Sequence, residues 1–207
     1  MNRFELHIDD DAYPELLRHA PEPPRVLRGI GDPALLTPGL AVIGARKASP
    51  YGLRCARIFA GWAARHALPV VSGAAMGCDQ EAHKAALDAD GTTVAVLGCG
   101  ADVDYPRRAH ELLAAVRCVG VVVSECAWGA GPQRWAFSRR NRIIAGLSTG
   151  VLVVEASLPS GTFSTAEYAL AAGRDVYAVP GSIFSPEALG ANRLIRQGAA
   201  CLSLIHI

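Results

Sequence analysis

The 207-residue sequence predicts an α/β fold, a doubly wound and mostly parallel sheet, and three observations predict it. Six short runs are apolar throughout, without polar alternation; the stretches between them repeat at helical spacing; the turns after the runs are built from Gly, Ser and Ala. A strand apolar on both faces belongs in a parallel sheet covered by helices on either side.

Taken in order, residues 1–39 stand apart. Pro14, Pro21, Pro23, Pro24, Pro33 and Pro38 break them up, leaving room for a short helix around 13–18 and an edge strand over 25–29. This is an N-terminal appendage of the same unit rather than a domain. The core spans 40–202, with strands expected at 41–44, 70–72, 93–97, 120–124, 151–155 and 176–179. A helix over 50–66 places Cys55, Ile58, Phe59 and Trp62 on one face and Arg54, Arg57 and Arg65 away from it. A second helix is expected over 79–87. A third, over 106–116, has Pro in its first turn and Ala109, Leu112, Leu113 and Val116 inward; a fourth, over 165–172, ends at Gly173. Right-handed crossovers bring every strand's carboxyl end and the next helix N-terminus to one edge of such a sheet, so function is expected there.

A chain that is 51% hydrophobic and 19% charged collapses into a packed core. The formal net charge of +1 carries little information; its distribution carries more. Residues 126–154 hold no Asp or Glu, yet they include Arg134, Arg139, Arg140 and Arg142. Six cysteines without a C-x-x-C pair, mostly within apolar segments, read as free thiols of a reducing cytosol. No leader pattern opens the sequence and no apolar run approaches the ~20 residues that span a bilayer, so a cytoplasmic protein is expected.

The chemistry is concentrated in the strand-to-helix turns. The first contains Gly44, Arg46 and Ser49, the second Ser72, Gly73 and Gly77, and the third Gly98 and Gly100; the fifth contains Ser160, Gly161 and Thr162. Glycine lets a ligand approach the backbone, and free N–H groups with the helix dipole favour an anion, so phosphate is the natural guest. The first turn lacks G-x-G-x-x-G and no G-x-x-x-x-G-K-[ST] occurs, which argues against NAD binding and the usual ATP hydrolysis. The absence of G-x-S-x-G argues against a serine nucleophile of the hydrolase kind. His66, His83 and His110 lack metal-ligand spacing and read as capping or surface residues, so neither metal nor cofactor is expected. A loop over 127–137 carries Trp128, Trp135 and Phe137 just before Arg139, Arg140, Asn141 and Arg142. Interleaved aromatic and guanidinium groups suit single-stranded nucleic acid, with Trp128 the stacking candidate and Trp135 and Phe137 expected in the core.

As a set, these turns resemble the Rossmann-like core of the DNA-processing protein A family (DprA, also called Smf). The resemblance runs from about Tyr13 to Leu202. It rests on Val42-Ile-Gly-Ala-Arg46 with Ser49-Pro-Tyr-Gly52, Val71-Ser-Gly73 through Gly77-Cys-Asp79, Arg140-Asn-Arg-Ile-Ile-Ala-Gly146, Val153-Val-Glu-Ala156, Ser160-Gly161-Thr162 and Val179-Pro-Gly181. It implies a non-enzymatic binder of single-stranded DNA that dimerises and loads the RecA recombinase during natural transformation. By motif position, Gly44, Arg46, Ser49, Ser72, Gly73, Gly77, Ser160, Gly161 and Thr162 would contact phosphates. Arg140, Asn141 and Arg142 would shape the same pocket, and Trp128 would stack on a base.

The sequence departs from the family in Ala74-Ala75-Met76 and in Thr162-Phe163-Ser164, both conservative in size and polarity. Family members often carry helical and winged-helix-like modules for which this length leaves no room. Residues 203–207 resemble a translated sequencing adapter and are set outside the fold. A competing enzymatic reading is a nucleoside monophosphate phosphoribohydrolase of the lysine-decarboxylase-like family. That family carries a Glu three residues after the Gly-Thr pair of its P-G-G-x-G-T-x-x-E turn, whereas here the residue three after Gly161-Thr162 is Thr165, and Glu167 lies on the following helix.

Overall fold

The computed structural model describes residues 2–204. All six expected strands form: β3 (Gly39–Ile43), β4 (Val70–Ser72), β5 (Thr93–Val96), β6 (Val121–Ser124), β7 (Ser148–Val153) and β8 (Asp175–Ala178). Three more join them, β1 (Arg3–His7), β2 (Val26–Gly31) and β9 (Ala200–Cys201), in one sheet of order β1-β2-β6-β5-β4-β3-β7-β8-β9. From β6 to β9 all neighbours are parallel, while β2 runs antiparallel to both β1 and β6. The expected edge strand β2 is therefore interior, because β1 covers it. Strand β1 escapes a reading by apolar runs because its sequence, Arg-Phe-Glu-Leu-His, has a single buried residue.

Alternation along each strand divides the core. Ala41 and Ile43 of β3 face a layer made by α1 (Glu15–Arg18), α5 (Arg134–Gly146), α6 (Thr162–Ala171) and α7 (Leu189–Arg196). Val42 faces the opposite layer, where α2 (Pro50–Arg65) and α3 (Cys78–Asp88) pack; α4 (His110–Val119) covers β5 and β6 beside them. Helices on both faces explain why the parallel strands carry no polar side. Within α2, Cys55 and Phe59 are buried and Ile58 and Trp62 half-buried; the inward set expected of the third helix is buried throughout. Pro106 lies ahead of that helix, whose start is a 3-10 turn over Arg107–Ala109.

Helices α5 and α7 fall where no helix was expected, and the loop expected over 127–137 ends before α5 begins at Arg134. Apolar periodicity could not reveal α5, because two of its buried residues are Arg140 and Arg142. Cys55, Cys78 and Cys99 are buried, but Cys118 and Cys201 are exposed. No helix among the described residues is long and apolar enough to cross a membrane. Of the segment set outside the fold, residues 205–207 lie beyond the described residues.

Candidate phosphate-binding cleft

The sheet reverses its winding at β3. From there the chain builds outward through β4, β5 and β6, then returns to set β7 on the other side of β3. In an open α/β sheet the turns leaving two such strands diverge, and the crevice between them is where ligands sit. Here a cleft of about 570 Å³ opens there. Its walls are Gly44, Arg46 and Lys47 after β3, and Ser160, Gly161 and Thr162 after β7; α5 closes the third side with Phe137, Ser138, Arg140 and Asn141.

Each wall has a local cause. The first turn is held by Glu155, whose carboxylate accepts the Ser49 hydroxyl at 2.6 Å and the Ser49 amide at 2.8 Å. The Ser49 oxygen in turn accepts the Gly52 amide at 3.1 Å and caps α2. At Gly77, φ of +83° and the carbonyl of Ala45 pressed against the missing side chain leave space only for glycine. The fifth turn is knit by hydroxyls. Ser160 and Thr162 share a hydrogen bond, the Thr162 amide donates to Ser160 at 3.3 Å, and Asn141 Nδ2 donates to Ser164 Oγ at 2.8 Å. The N-cap residue Gly161 offers α6 no side chain, so beyond the Thr162 amide the first-turn amides of the helix remain donors beside the cleft.

The electrostatic centre is Arg140. It is 5% exposed, its Nη1 donates to the Val96 carbonyl, and its Nε donates to Asn141 Oδ1 at 3.1 Å. A Cβ at Gly73 would overlap the guanidinium, so the group lies against the bare backbone at the end of β4. Among the described residues no carboxylate is within 4.0 Å of it. Burial pulls Arg140 down from the usual arginine range; Asp79 counters that pull and the neighbouring cation Arg46 adds to it. Burial likewise pushes the Asp79 carboxyl up. Arg140 and the amides of Ala75, Gly44 and Gly73 oppose that rise. The cleft thus has two neighbouring cations, and its buried carboxylate is already turned toward backbone amides. Burying a cation is costly unless a counter-charge is close, and an anion above Arg140 and Arg46 would supply one.

Seven of the residues expected to bind phosphate or DNA line this cleft: Gly44, Arg46, Arg140, Asn141, Ser160, Gly161 and Thr162. Five others are elsewhere. Ser49 is committed to Glu155, Ser72 is fully buried and donates to the Val42 carbonyl at 2.7 Å, and Gly73 and Gly77 shape backbone. Arg142 points off the opposite flank of α5, where its two Nη atoms meet Glu125 at 2.9 and 2.7 Å.

The aromatic expectations change as well. The Trp128 indole donates to Glu5 at 2.6 Å and Arg3 covers its ring at 4.8 Å, which removes it from the cleft. Trp135, expected in the core, is 60% exposed in the first turn of α5. Phe137 is half-buried in the cleft wall, between Tyr105 at 5.2 Å and Arg46 at 5.9 Å. Lys47, Ser138 and Asp79 are cleft residues that the turn motifs did not single out; Lys47 and Asp79 sit inside those motifs and Ser138 one position after Phe137. Glu167 lines a separate depression with Leu170 and Arg174. His83 is wholly buried rather than at the surface.

Fold and cleft together define a doubly wound α/β protein with a cationic cleft at its switch point. The family model for DNA recombination-mediator protein A matches residues 5–206, and the chain belongs to that family. Protein Smf of Escherichia coli is 44% identical over 201 residues, covering 96% of this chain and 54% of its own length. DNA processing protein DprA of Bacillus subtilis is 39% identical over 199 residues, 95% of this chain and 67% of its own. The chain spans about half the length of Protein Smf from E. coli. Among solved structures, DprA of Streptococcus pneumoniae superimposes with a TM-score of 0.92 at 39% identity, covering 98% of this chain and 71% of that one. A DprA of Helicobacter pylori, described for its single-stranded DNA binding mode, gives 0.86 at 29% identity, covering 97% and 90%. A molybdenum cofactor binding protein of Rippkaea orientalis shares the fold alone, at 21% identity and a TM-score of 0.56 over 81% of this chain and 90% of that one.

Proposed function

We propose that this chain binds single-stranded DNA by its phosphates in the switch-point cleft, and that it serves without catalysis as a recombination mediator. In that role it covers incoming DNA as a homodimer in the cytoplasm and passes it to the RecA recombinase during natural transformation. The observation that carries the reading is the buried Arg140 guanidinium facing the cleft beside Arg46 with no carboxylate within ion-pair distance among the described residues. The hydroxyls and free helix amides opposite these cations suit the oxygens of a phosphodiester. Membership of the recombination-mediator family and the likeness to a relative described as binding single-stranded DNA support the same ligand.

The test is a fluorescence-anisotropy titration of labelled oligothymidylate across a range of salt. Each lost phosphate contact lowers the slope of log affinity against log salt by about 0.7 for a single strand. Arg46→Ala, whose side chain is exposed, is expected to weaken binding roughly tenfold and to flatten the slope by that amount. Salt-independent binding, or equal affinity for duplex and single strand, would count against the reading. The same preparation incubated with AMP is expected to release no free base.

A further inference from the structure

Helix α5 has two flanks, and both open onto basic clefts. Ser138 and Asn141 face the switch-point cleft; Arg139 and Arg142, on the adjoining stripe, line a second cleft of about 540 Å³. Its far wall is Arg25 and Arg28 of the N-terminal segment. Because β2 runs antiparallel to β6, with Arg28 opposite Ser124, the start of β2 lies at the carboxyl edge of the sheet, the edge that also holds the first cleft.

The second cleft presents four guanidinium groups against two carboxylates, Glu22 and Glu125. Glu125 is spent on the cleft floor, paired with Arg142 at 2.7 Å and with Arg139 at 3.4 Å. Arg28 reaches Glu5 at 3.1 Å, while exposed Arg25 has no ion-pair partner among the described residues. Arg142 Nε is buried there without a hydrogen-bond partner among the described residues. The ridge between the clefts is the first turn of α5, where Trp135 is exposed and the Arg139 guanidinium lies 6.0 Å from its ring. An open indole beside a cation is a platform for an unstacked base, worth about 1–3 kcal/mol.

We infer that a single strand leaving the switch-point cleft crosses the Trp135 ridge and sets a further phosphate between Arg25 and Arg139 in this second cleft. The inference rests on the single-strand reading above. It favours a continuing strand over a separate anion because consecutive residues of one helix, Ser138 and Arg139, open into the two clefts. The Arg142–Glu125 pair supplies the floor and takes no part in contact.

The experiment compares a short oligothymidylate of about four nucleotides with one of about twenty, bracketing the site sizes of single-strand binders. The double variant Arg25→Ala/Arg139→Ala alters exposed side chains in the full chain; Arg25→Ala alone serves if the pair fails to fold. The double variant is expected to bind the long strand roughly tenfold more weakly, with a salt slope shallower by about 1.4 for two lost contacts, and the short strand as before. Arg46→Ala is expected to weaken both lengths. If Arg46→Ala acts and the double variant holds the long strand as tightly as the parent, the second cleft is excluded while the first stands. Equal loss on both lengths assigns Arg25 and Arg139 to the general field and overturns the inference too. An Arg46→Ala variant that binds both lengths normally overturns the underlying reading.

Discussion

Among the described residues, His83 is the one aromatic ring that folding strips of all solvent. The Thr93 hydroxyl donates to the Val70 carbonyl at 2.8 Å, so it accepts from His83 Nδ1 at 2.7 Å, and Nε2 is left buried without a partner among the described residues. Burial, with the nearby Arg140 charge, drops its pKa from 6.5 to about 3. An unfolded chain takes up a proton at this ring as the pH falls through 6.5; the folded chain does not until about pH 3. The stability His83 contributes is therefore complete above 6.5 and lost progressively below it, by about 2 kcal/mol at pH 5. Urea unfolding at pH 7 and pH 5 is expected to show that loss, and His83→Gln, which keeps a donor for Thr93, is expected to reduce it. At this scale the sequence was partly legible. Arg46 and the Ser160–Thr162 run could be read from turn position alone, because what leaves a strand end at the switch point has little choice of direction. Ser49, Ser72 and Arg142 could not, since a hydroxyl or guanidinium free to meet phosphate looks the same in sequence as one turned to Glu155, Val42 or Glu125.

Helix α5 shows the same limit one level up. Hydrophobic periodicity identifies a helix by the face it buries, and α5 buries Arg140 and Arg142 along with Ile143 and Ile144. Its stability consequently depends on polar satisfaction. Arg142 is 3% exposed and held by the two Glu125 oxygens. Glu125→Ala leaves that charge buried with no counter-ion, a loss expected to be about 3–5 kcal/mol in urea unfolding. Replacing both members, as Glu125→Leu/Arg142→Met, is expected to recover most of it, because an apolar pair of similar volume does not strand a charge. If the single variant is as stable as the parent, α5 is held by its apolar face alone.

Across the whole molecule, residues 2–31 are built into the sheet and the core. β2 closes the open edge of β6, and Tyr13, Leu17 and Leu27 enter the larger core cluster, with the Tyr13 hydroxyl donating to the Pro24 carbonyl at 2.7 Å. Removing residues 1–31 would expose β6 as an unpaired apolar edge, the kind that pairs with other chains. Such a truncated chain is expected to aggregate or to lose its cooperative thermal transition by circular dichroism. A sharp transition at the parent temperature would show that the parallel strands suffice. The parallel core was legible because each strand had to be apolar on both faces. The marginal strands β1 and β9 were not, since a short edge strand needs little burial to form.

The contact between Gly73 and Arg140 has a further consequence. A free arginine gives up about 2 kcal/mol of rotamer entropy when it is fixed against a ligand. Arg140 has already surrendered most of that freedom on folding, clamped by Val96, Asn141 and the bare backbone of Gly73. The exposed Arg46 has not. The two cations would thus greet the same phosphate differently, one as a preset contact and the other as a mobile arm that must be stilled. An incoming anion would find half of its grip in place before it arrives.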